Sequence, residues 1–436
     1  MATETPLEGD VGRRRRQAVV EKLLLRDLAL RHRLGILGVC LLALVPLLAQ
    51  PRELNQFTYV LYLMMFAISW DVVSGYTGQL SFGHAFFFAL GGYGTSVTVN
   101  QHLLPLANDL GLTLGPVGTV LVILGGIVGG TLVAALGGVL IGVPALRLDG
   151  PYLSLVTLIA PLLLYQSLII FSDEGSLPVL APGGLGGTSG LLNTPPSFVG
   201  IGGLNTAVTV DQQWVGAVAR YYISFLALLI VLAVTYGVTR SAAGSVFTAI
   251  REDEDAVRSV GMNPAKFKIF AFVLSAAIGG FAAAVWMHAG PNAAPNTENL
   301  FGSGRIDLSI NVIVIAIIGG MGTIVGSIVG ALFFAFADTV IGGLDVAIPG
   351  VELLFGSELT IADTSPLPTF LLGMLALVFL PRGVVPELTR FGRRLLAWRR
   401  GEVDTLLGRD RSPSTLKRTA EKYREEIEEI VGGESR

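Results

Sequence analysis

Charged residues are scarce in this sequence: only 14% of its 436 residues are Asp, Glu, Lys or Arg, whereas 52% are apolar. A soluble domain usually carries about 25% charged residues. The composition therefore excludes an ordinary soluble protein. It indicates an all-α polytopic membrane protein, whose apolar stretches cross a bilayer.

Residues that form disulfides or bind metals are equally few. Cys40 is the only cysteine, which excludes an intrachain disulfide. The four histidines, His32, His84, His102 and His288, are scattered without the spacing of metal ligands. No H-E-x-x-H is present either, and Ser, His and Asp form no recognisable nucleophile arrangement, so a membrane-embedded hydrolase is disfavoured.

A phosphate-binding loop is also missing. The sequence contains no G-x-x-x-x-G-K-[ST], and none of its lysines follows a glycine. We therefore expect no ATP site of the P-loop kind, no bound cofactor and no enzymatic activity in the chain itself. If the chain takes part in primary transport, separate subunits must hydrolyse the ATP.

Hydrophobic segments recur along most of the sequence. About 20 apolar residues are needed to cross the roughly 30 Å hydrocarbon core. The glycine-rich stretch Gly319–Thr323 is expected to break the run 309–341 into two shorter helices. The predicted segments are 34–49, 57–74, 79–99, 117–143, 151–171, 220–238, 267–289, 309–319, 324–341 and 366–381.

The distribution of basic residues predicts the sidedness of these segments. With the N-terminus inside, all Lys and Arg except Arg52, Arg220 and Arg305 fall in or beside the inner loops. The positive-inside rule predicts this asymmetry. Ten spans place both termini in the cytoplasm, whereas nine would put the basic start of the tail outside.

This topology divides the chain into three parts. Residues 1–33 form a basic cytoplasmic arm, 34–386 the transmembrane domain and 387–436 a charged cytoplasmic tail. The outer loop 172–219 is long and rich in Gly and Pro. In the tail, a spacing of four and three predicts a short amphipathic helix through Leu416, Ala420, Tyr423, Ile427 and Ile430.

The inner loop 239–266 contains a cluster of charge between two apolar spans. Acidic residues begin the cluster, and Arg258 follows Glu254 by four residues, which favours a short helix. Val257 and Val260 give that helix an apolar face. Gly261 is suited to end it in the left-handed conformation, and Pro264 prevents its continuation. An ordinary solvated loop is the alternative.

This loop resembles the cytoplasmic loop of ABC importer permeases, because Asp255-Ala256 is followed five residues later by Gly261. In that family the loop forms a coupling helix that seats in a groove of the ATP-hydrolysing subunit. The resemblance implies an ATPase-coupling role for six residues here: Arg251, Glu252, Asp253, Glu254, Ala256 and Gly261.

Four further segments resemble the branched-chain amino acid permeases, in the order of that family. They are Gly75–Phe87 with its Gly-Gln-x-Ser-x-Gly, Pro144–Leu153, Gly186–Leu191 and Gly319–Thr323. The second and third resemble the longer of the family's two permease types. The basic N-terminal arm and the charged tail lie outside the resemblance.

The resemblance implies a permease subunit of an ATP-driven importer in a prokaryotic plasma membrane. Its implied partners are cytoplasmic ABC ATPase subunits, a second permease subunit and an extracytoplasmic solute-binding protein. The implied substrates are branched-chain or similar neutral amino acids, while urea and short amides stay open. No nucleic acid is expected as a partner.

Candidates for the translocation path come from buried polar groups and from glycines. Asp71 and Asp338 are costly intramembrane carboxylates, although each could be structural or solvated instead. For His84 a packing role is favoured over a role in the path, and the glycines could equally serve close helix contact. The path candidates are Asp71, Gly75, Gly78, Gln79, Ser81, Gly83, His84, Gly319, Gly320 and Gly322.

A different class of transporter is compatible with part of this pattern. An ion- or proton-coupled secondary transporter also uses broken spans and intramembrane carboxylates. It would transport without any ATPase, and it gives no reason for the charged helix near 251–261.

Overall fold

We describe the chain from a computed structural model. Its described residues are 30–112, 114–146, 152–191, 194–199, 210–302, 307–342, 371, 373–375, 378 and 383–399. Within these ranges the regular secondary structure is helical, apart from an isolated bridge between Leu177 and Ala181. The predicted all-α class is confirmed.

Helices follow one another along the whole described chain. In order they are α1 (Leu30–Leu44), α2 (Pro51–Thr77), α3 (Ala85–Val97), α4 (Leu104–Asp109), α5 (Pro116–Ala145), α6 (Tyr152–Ile170), α7 (Val210–Thr239), α8 (Ala242–Glu252), α9 (Glu254–Ser259), α10 (Pro264–Ala289), α11 (Thr297–Phe301), α12 (Asp307–Gly319), α13 (Ile324–Gly342) and α14 (Val384–Arg399).

The chain divides into two units, residues 1–385 and 386–436. Of the second unit, the structure describes residues 386–399, which are helical and carry the exposed side chains Leu388 and Phe391. The amphipathic helix predicted at 416–430 lies outside the described residues.

Among the described residues of the first unit, five helices are long and apolar enough to cross a membrane: α2, α5, α6, α7 and α10. Helices α12 and α13 reach that length only as a pair and are bent by 115° at their junction. The predicted break at Gly319–Thr323 is therefore confirmed. α1 contributes a shorter apolar stretch, Gly35–Leu47.

Several of the ten predicted spans have other boundaries in the structure, among them 57–74, which is part of the longer helix α2. The segment 79–99 is not helical over residues 79–84; its helix begins at Ala85 as α3 and continues through a π-helical turn, Thr98–Leu103, into α4. The span predicted at 220–238 begins at Val210, since the apolar residues around Trp214 continue the helix through Arg220. The loop predicted to face outside is correspondingly shorter. Most of 366–381 lies outside the described residues.

Helix α2 is the centre of the first unit. It contacts α7, α8, α10, α12 and α13. Trp70, Tyr62 and Phe66 on it are buried, and 89% of its most apolar stretch is enclosed. A helix of this length extends about 40 Å at 1.5 Å per residue. It therefore links opposite ends of the bundle.

Helices α5 and α6 lie at the periphery, with 33% and 28% of their apolar stretches buried. On α5, Leu121, Leu124, Val128 and Leu132 are exposed at a spacing of three and four residues. This pattern forms a continuous apolar stripe. Such a surface suits lipid hydrocarbon.

Small residues bring the helices of the bundle together. A Cβ atom at Gly280 of α10 would lie 2.1 Å from Ala134 Cβ of α5. Close backbone approach of this kind is typical of helices packed in lipid. The high glycine content therefore has a packing role at this contact.

Candidate functional site

The predicted coupling loop folds into two helices rather than one. α8 ends at Glu252, and the extended residue Asp253 (φ −159°) caps α9. Its Oδ1 accepts the N–H of Ala256 at 2.9 Å. Arg251 and Glu252 therefore belong to α8 and not to the charged helix. The expectation of one helix was wrong because a side-chain N-cap ends α8 and starts α9 at Asp253.

Helix α9 has most of the other predicted features. Arg258 forms ion pairs with Glu254 at 3.2 Å and with Asp255 at 2.9 Å. Gly261 ends the turn at a φ of +83°, which favours glycine. Pro264 opens α10.

The apolar face predicted for α9 is smaller than expected. Val257 is buried, whereas Val260 is 70% exposed. Val260 follows the last residue of the six-residue helix, so it no longer shares the face of Val257. Val260 and its neighbour Met262 therefore form an exposed apolar tip beside Gly261.

Arg251 connects the predicted coupling loop to the helical bundle. Its Nη1 donates a hydrogen bond to the carbonyl oxygen of Gly75, near the end of α2. A Cβ atom at Gly322 would lie 2.5 Å from the same nitrogen. The guanidinium group thus lies between the end of α2 and the break that separates α12 from α13.

Asp71 completes this contact from within α2. Its side chain is only 1% exposed, and its Oδ1 accepts the N–H of Gly322 at 2.7 Å. Gly75 leaves no space for a side chain, since a Cβ there would lie 1.9 Å from Asp71 Oδ1. We call Asp71, Gly75, Arg251 and Gly322 the loop-side junction.

A second link joins α9 to α10. Lys268 is 7% exposed, and its Nζ lies 2.9 Å from both carboxylate oxygens of Glu254. Sequence reasoning missed this pair. The available signal was a lysine inside the apolar start of α10, because a buried lysine is almost always paired.

The segment 78–84 is unwound between α2 and α3. Side chains from two helices, α2 and α6, satisfy its backbone, and non-helical backbone at membrane depth is tolerated only with such protein partners. The bonds are Trp70 Nε1 to Ser81 O (2.7 Å), Ser154 Oγ to Leu80 O (2.9 Å), Ser74 Oγ to Gln79 O (3.0 Å) and Phe82 N to Thr157 Oγ1 (3.1 Å).

The path candidates in this segment are enclosed by their neighbours. His84 is fully buried, with Nε2 2.7 Å from Ser69 Oγ and its ring beside Phe66. Ser81 is fully buried, and Gln79 is half-buried. A Cβ at Gly83 would lie 1.6 Å from the carbonyl oxygen of Thr157.

The predicted path residues therefore occupy three places: the unwound segment, the bend between α12 and α13, and the loop-side junction. Gly78 ends α2 at a φ of +74° and begins the unwound segment. Gly319 and Gly320 lie at the bend between α12 and α13, where a Cβ at Gly319 would lie 1.8 Å from Gly326 O. Asp71, Gly75 and Gly322 belong to the loop-side junction.

A bundle of apolar helices with an unwound segment, a bent helix pair and a polar loop fixed to one end defines an all-α polytopic membrane permease. Comparison with known proteins gives the family. The model of the branched-chain amino acid transport system permease component matches residues 54–380, and the chain belongs to this family. The predicted resemblance is confirmed.

Two relatives are the high-affinity branched-chain amino acid transport system permease proteins LivM of Salmonella typhimurium and Escherichia coli. They are 26% identical over 323 residues and 27% identical over 316 residues. Each alignment covers 67% of this chain and 64% of the relative, so the chain spans less than two thirds of their length. No solved structure matches the chain significantly.

Proposed function

We propose that this chain is the membrane-spanning subunit of an ATP-driven importer for branched-chain or similar neutral amino acids. Its family and the names of its relatives support the substrate class. The observation that carries the proposal is the double attachment of the coupling loop, through Arg251 to Gly75 and through Glu254 to Lys268.

These attachments offer a route for mechanical coupling. A partner ATPase that closes on nucleotide displaces α9, with the exposed tip at Val260 and Met262 in its groove. Lys268 then moves the start of α10, and Arg251 moves the end of α2 together with the glycine break. Because α2 contacts most of the bundle, its displacement shifts the balance between outward and inward openings.

The proposal includes the partners and the sidedness of the chain. The coupling loop, the N-terminal arm and the tail face the cytoplasm of a prokaryotic cell, where the ABC ATPase subunits bind. A second permease subunit completes the membrane domain, and a solute-binding protein delivers the amino acid from the opposite side. Because the sequence contains no P-loop motif, the separate ABC ATPase subunits hydrolyse the ATP.

Reconstitution tests the proposal. The chain, its second permease and its ATPase subunits are placed in liposomes, with the solute-binding protein on the receiving side. We expect ATP-dependent accumulation of L-leucine and none by the chain alone. Accumulation by the lone chain under an ion gradient would favour a secondary transporter. Accumulation of urea but not of leucine would show that the importer transports urea and not amino acids.

A further inference from the structure

A cavity of about 460 Å³ lies between α2, α10 and α13, at the end of the bundle opposite the coupling loop. Each of these helices has its other end at the loop: α2 through Gly75, α10 through Lys268 and α13 through the glycine break. The cavity volume lies within the range of about 300–1,000 Å³ that is usual for small-molecule sites.

The cavity is lined by one cation and one anion. Arg52, in the first turn of α2, and Asp338, near the end of α13, are the charged residues of its wall. A guanidinium group recognises a carboxylate with two parallel hydrogen bonds, and a carboxylate recognises an ammonium group. The pair therefore complements a small molecule that carries both charges.

Two polar atoms in the same wall have no hydrogen-bond partner among the described residues. They are Asn55 Oδ1, an acceptor, and Trp286 Nε1, a donor. Trp286 is 7% exposed, and its ring is held edge-on by Tyr62 at 4.9 Å between centroids. Buried polar atoms normally have a partner, so this donor and acceptor point to a polar ligand.

The remaining wall is apolar. Val60 and Leu63 of α2 and Phe334 of α13 line the cavity, and all three are largely buried. Such a surface favours an aliphatic side chain over water. The cavity thus combines two opposite charges, a free donor, a free acceptor and an apolar wall.

We propose that this cavity binds a free α-amino acid as a zwitterion. Arg52 holds its carboxylate, Asp338 holds its ammonium group, Asn55 and Trp286 complete the polar contacts, and the apolar wall receives an aliphatic side chain. The inference rests on the proposed function for its choice of ligand. It gives the permease its own substrate subsite, built from residues other than the glycine-rich path candidates.

Ligand analogues test the subsite on the unmodified chain. The full chain is purified in lipid nanodiscs, and binding is measured by titration with L-leucine, L-leucinamide and 4-methylpentanoate. Leucinamide lacks the carboxylate and 4-methylpentanoate lacks the ammonium group, so each should bind at least about tenfold more weakly than leucine. Equal binding of the three compounds, or no binding of leucine, would overturn the proposal.

Two variants assign the charges. Arg52→Gln should weaken leucine binding at least about tenfold and leave leucinamide binding unchanged, and Asp338→Asn should do the same for leucine while sparing 4-methylpentanoate. Asp109→Asn, an exposed acid at the end of α4, is the matched control and should change neither. If both charge variants lose binding of all three compounds to the same extent, Arg52 and Asp338 do not bind the carboxylate and the ammonium group separately, and the assignment is wrong.

The complete importer separates this inference from the proposed function. If it accumulates leucine with ATP while Arg52→Gln and Asp338→Asn keep the KM of the unmodified complex, the subsite is wrong and the function stands. If the complete importer accumulates no leucine, the proposed function fails whatever the cavity binds.

Discussion

Asp71 and Gly322 are 251 positions apart in the sequence, yet the Asp71 Oδ1 accepts the backbone N–H of Gly322 at 2.7 Å. The bond fixes the central helix α2 to the break between α12 and α13. Arg251 reaches the same place from the coupling loop and bonds to Gly75. Asp71 therefore has a structural contact at the loop-side junction, and its predicted role in the translocation path stays a prediction.

The Asp71 bond can be tested by changing the acceptor. Asp71→Leu leaves the N–H of Gly322 buried without a partner, which should cost about 1–3 kcal/mol of stability. Asp71→Asn keeps an acceptor oxygen and should cost clearly less. Thermal unfolding of both purified variants in one detergent measures the difference, and equal loss in both would show that the bond contributes little.

Close approach at Gly75 gives a steric test. A methyl group in Gly75→Ala would meet Asp71 Oδ1 at 1.9 Å and the backbone nitrogen of Gly322 at 2.5 Å. The junction must shift, and overpacking of this kind costs about 1–3 kcal/mol. In Gly237→Ala, on α7, the methyl group meets nothing within 4 Å.

The Gly237→Ala variant is the control, because alanine in an open helical position stabilises by about 0.5–1 kcal/mol relative to glycine. Unfolding temperatures should thus move in opposite directions for the two variants. A Gly75→Ala protein as stable as Gly237→Ala would contradict the geometry of the junction.

The Glu254–Lys268 pair predicts different effects for two neighbouring acids. Glu254→Gln leaves the ammonium group of Lys268, which is 7% exposed, without its charge partner. The expected loss is about 1–3 kcal/mol, since Glu254 itself is partly solvated. Asp255→Asn removes an acid whose side chain is 89% exposed and should change stability by less than about 1 kcal/mol.

Unfolding of the two variants in parallel measures these losses. A double variant, Glu254→Gln with Lys268→Met, removes the uncompensated charge and should recover part of the stability lost by Glu254→Gln alone. If the stability loss of the double variant equals the sum of the two single losses, Glu254 and Lys268 do not stabilise each other.

Local signals in the sequence predict local features of this protein. Glycines at 319, 320 and 322 predict the bend between α12 and α13 because three glycines within four residues destabilise a helix there, and the bend is there. The left-handed turn at Gly261 follows from a glycine placed before Pro264. The length of an apolar run identifies the long helices, because it too depends only on residues that are neighbours in the sequence.

Features that depend on distant contacts do not follow from such signals. The end of α2 at Gly78 depends on the bonds that Trp70, Ser154 and Thr157 give to the unwound segment, and two of those partners lie on α6. The sequence does not distinguish Arg251 from the other charged residues of the loop, because its partner Gly75 lies close only in the folded chain. The predicted roles of the path residues stay predictions.

Arg251 provides a test of coupling. In Arg251→Gln the loop loses its charged bond to Gly75, so movement of the ATPase should reach α2 less effectively. We expect the amino acid imported per ATP hydrolysed to fall at least several-fold, with ATP hydrolysis retained. Arg258→Gln is the matched control, because its ion pairs stay within α9 and such exposed pairs contribute roughly 0–1 kcal/mol.

Both arginine variants are reconstituted as complete importers, and uptake and phosphate release are measured on the same liposomes. An unchanged transport ratio in Arg251→Gln would remove Arg251 from the coupling route. An equal fall in both variants would trace the effect to the charge of the loop and not to the bond with Gly75.

Gly261 tests whether the tip of α9 meets a partner. Its φ is +83°, and a Cβ there would touch nothing within 4 Å in the described structure. A tryptophan in Gly261→Trp therefore projects outward, at a backbone cost of about 1–2 kcal/mol. If the tip of α9 binds in a groove of the ATPase, the indole prevents this contact. ATP hydrolysis then continues without amino acid uptake. Gly261→Asn adopts the left-handed conformation with a small side chain and should keep most of the transport. Normal uptake by an inserted Gly261→Trp protein would count directly against a coupling role for α9, because the obstruction would then have met no partner.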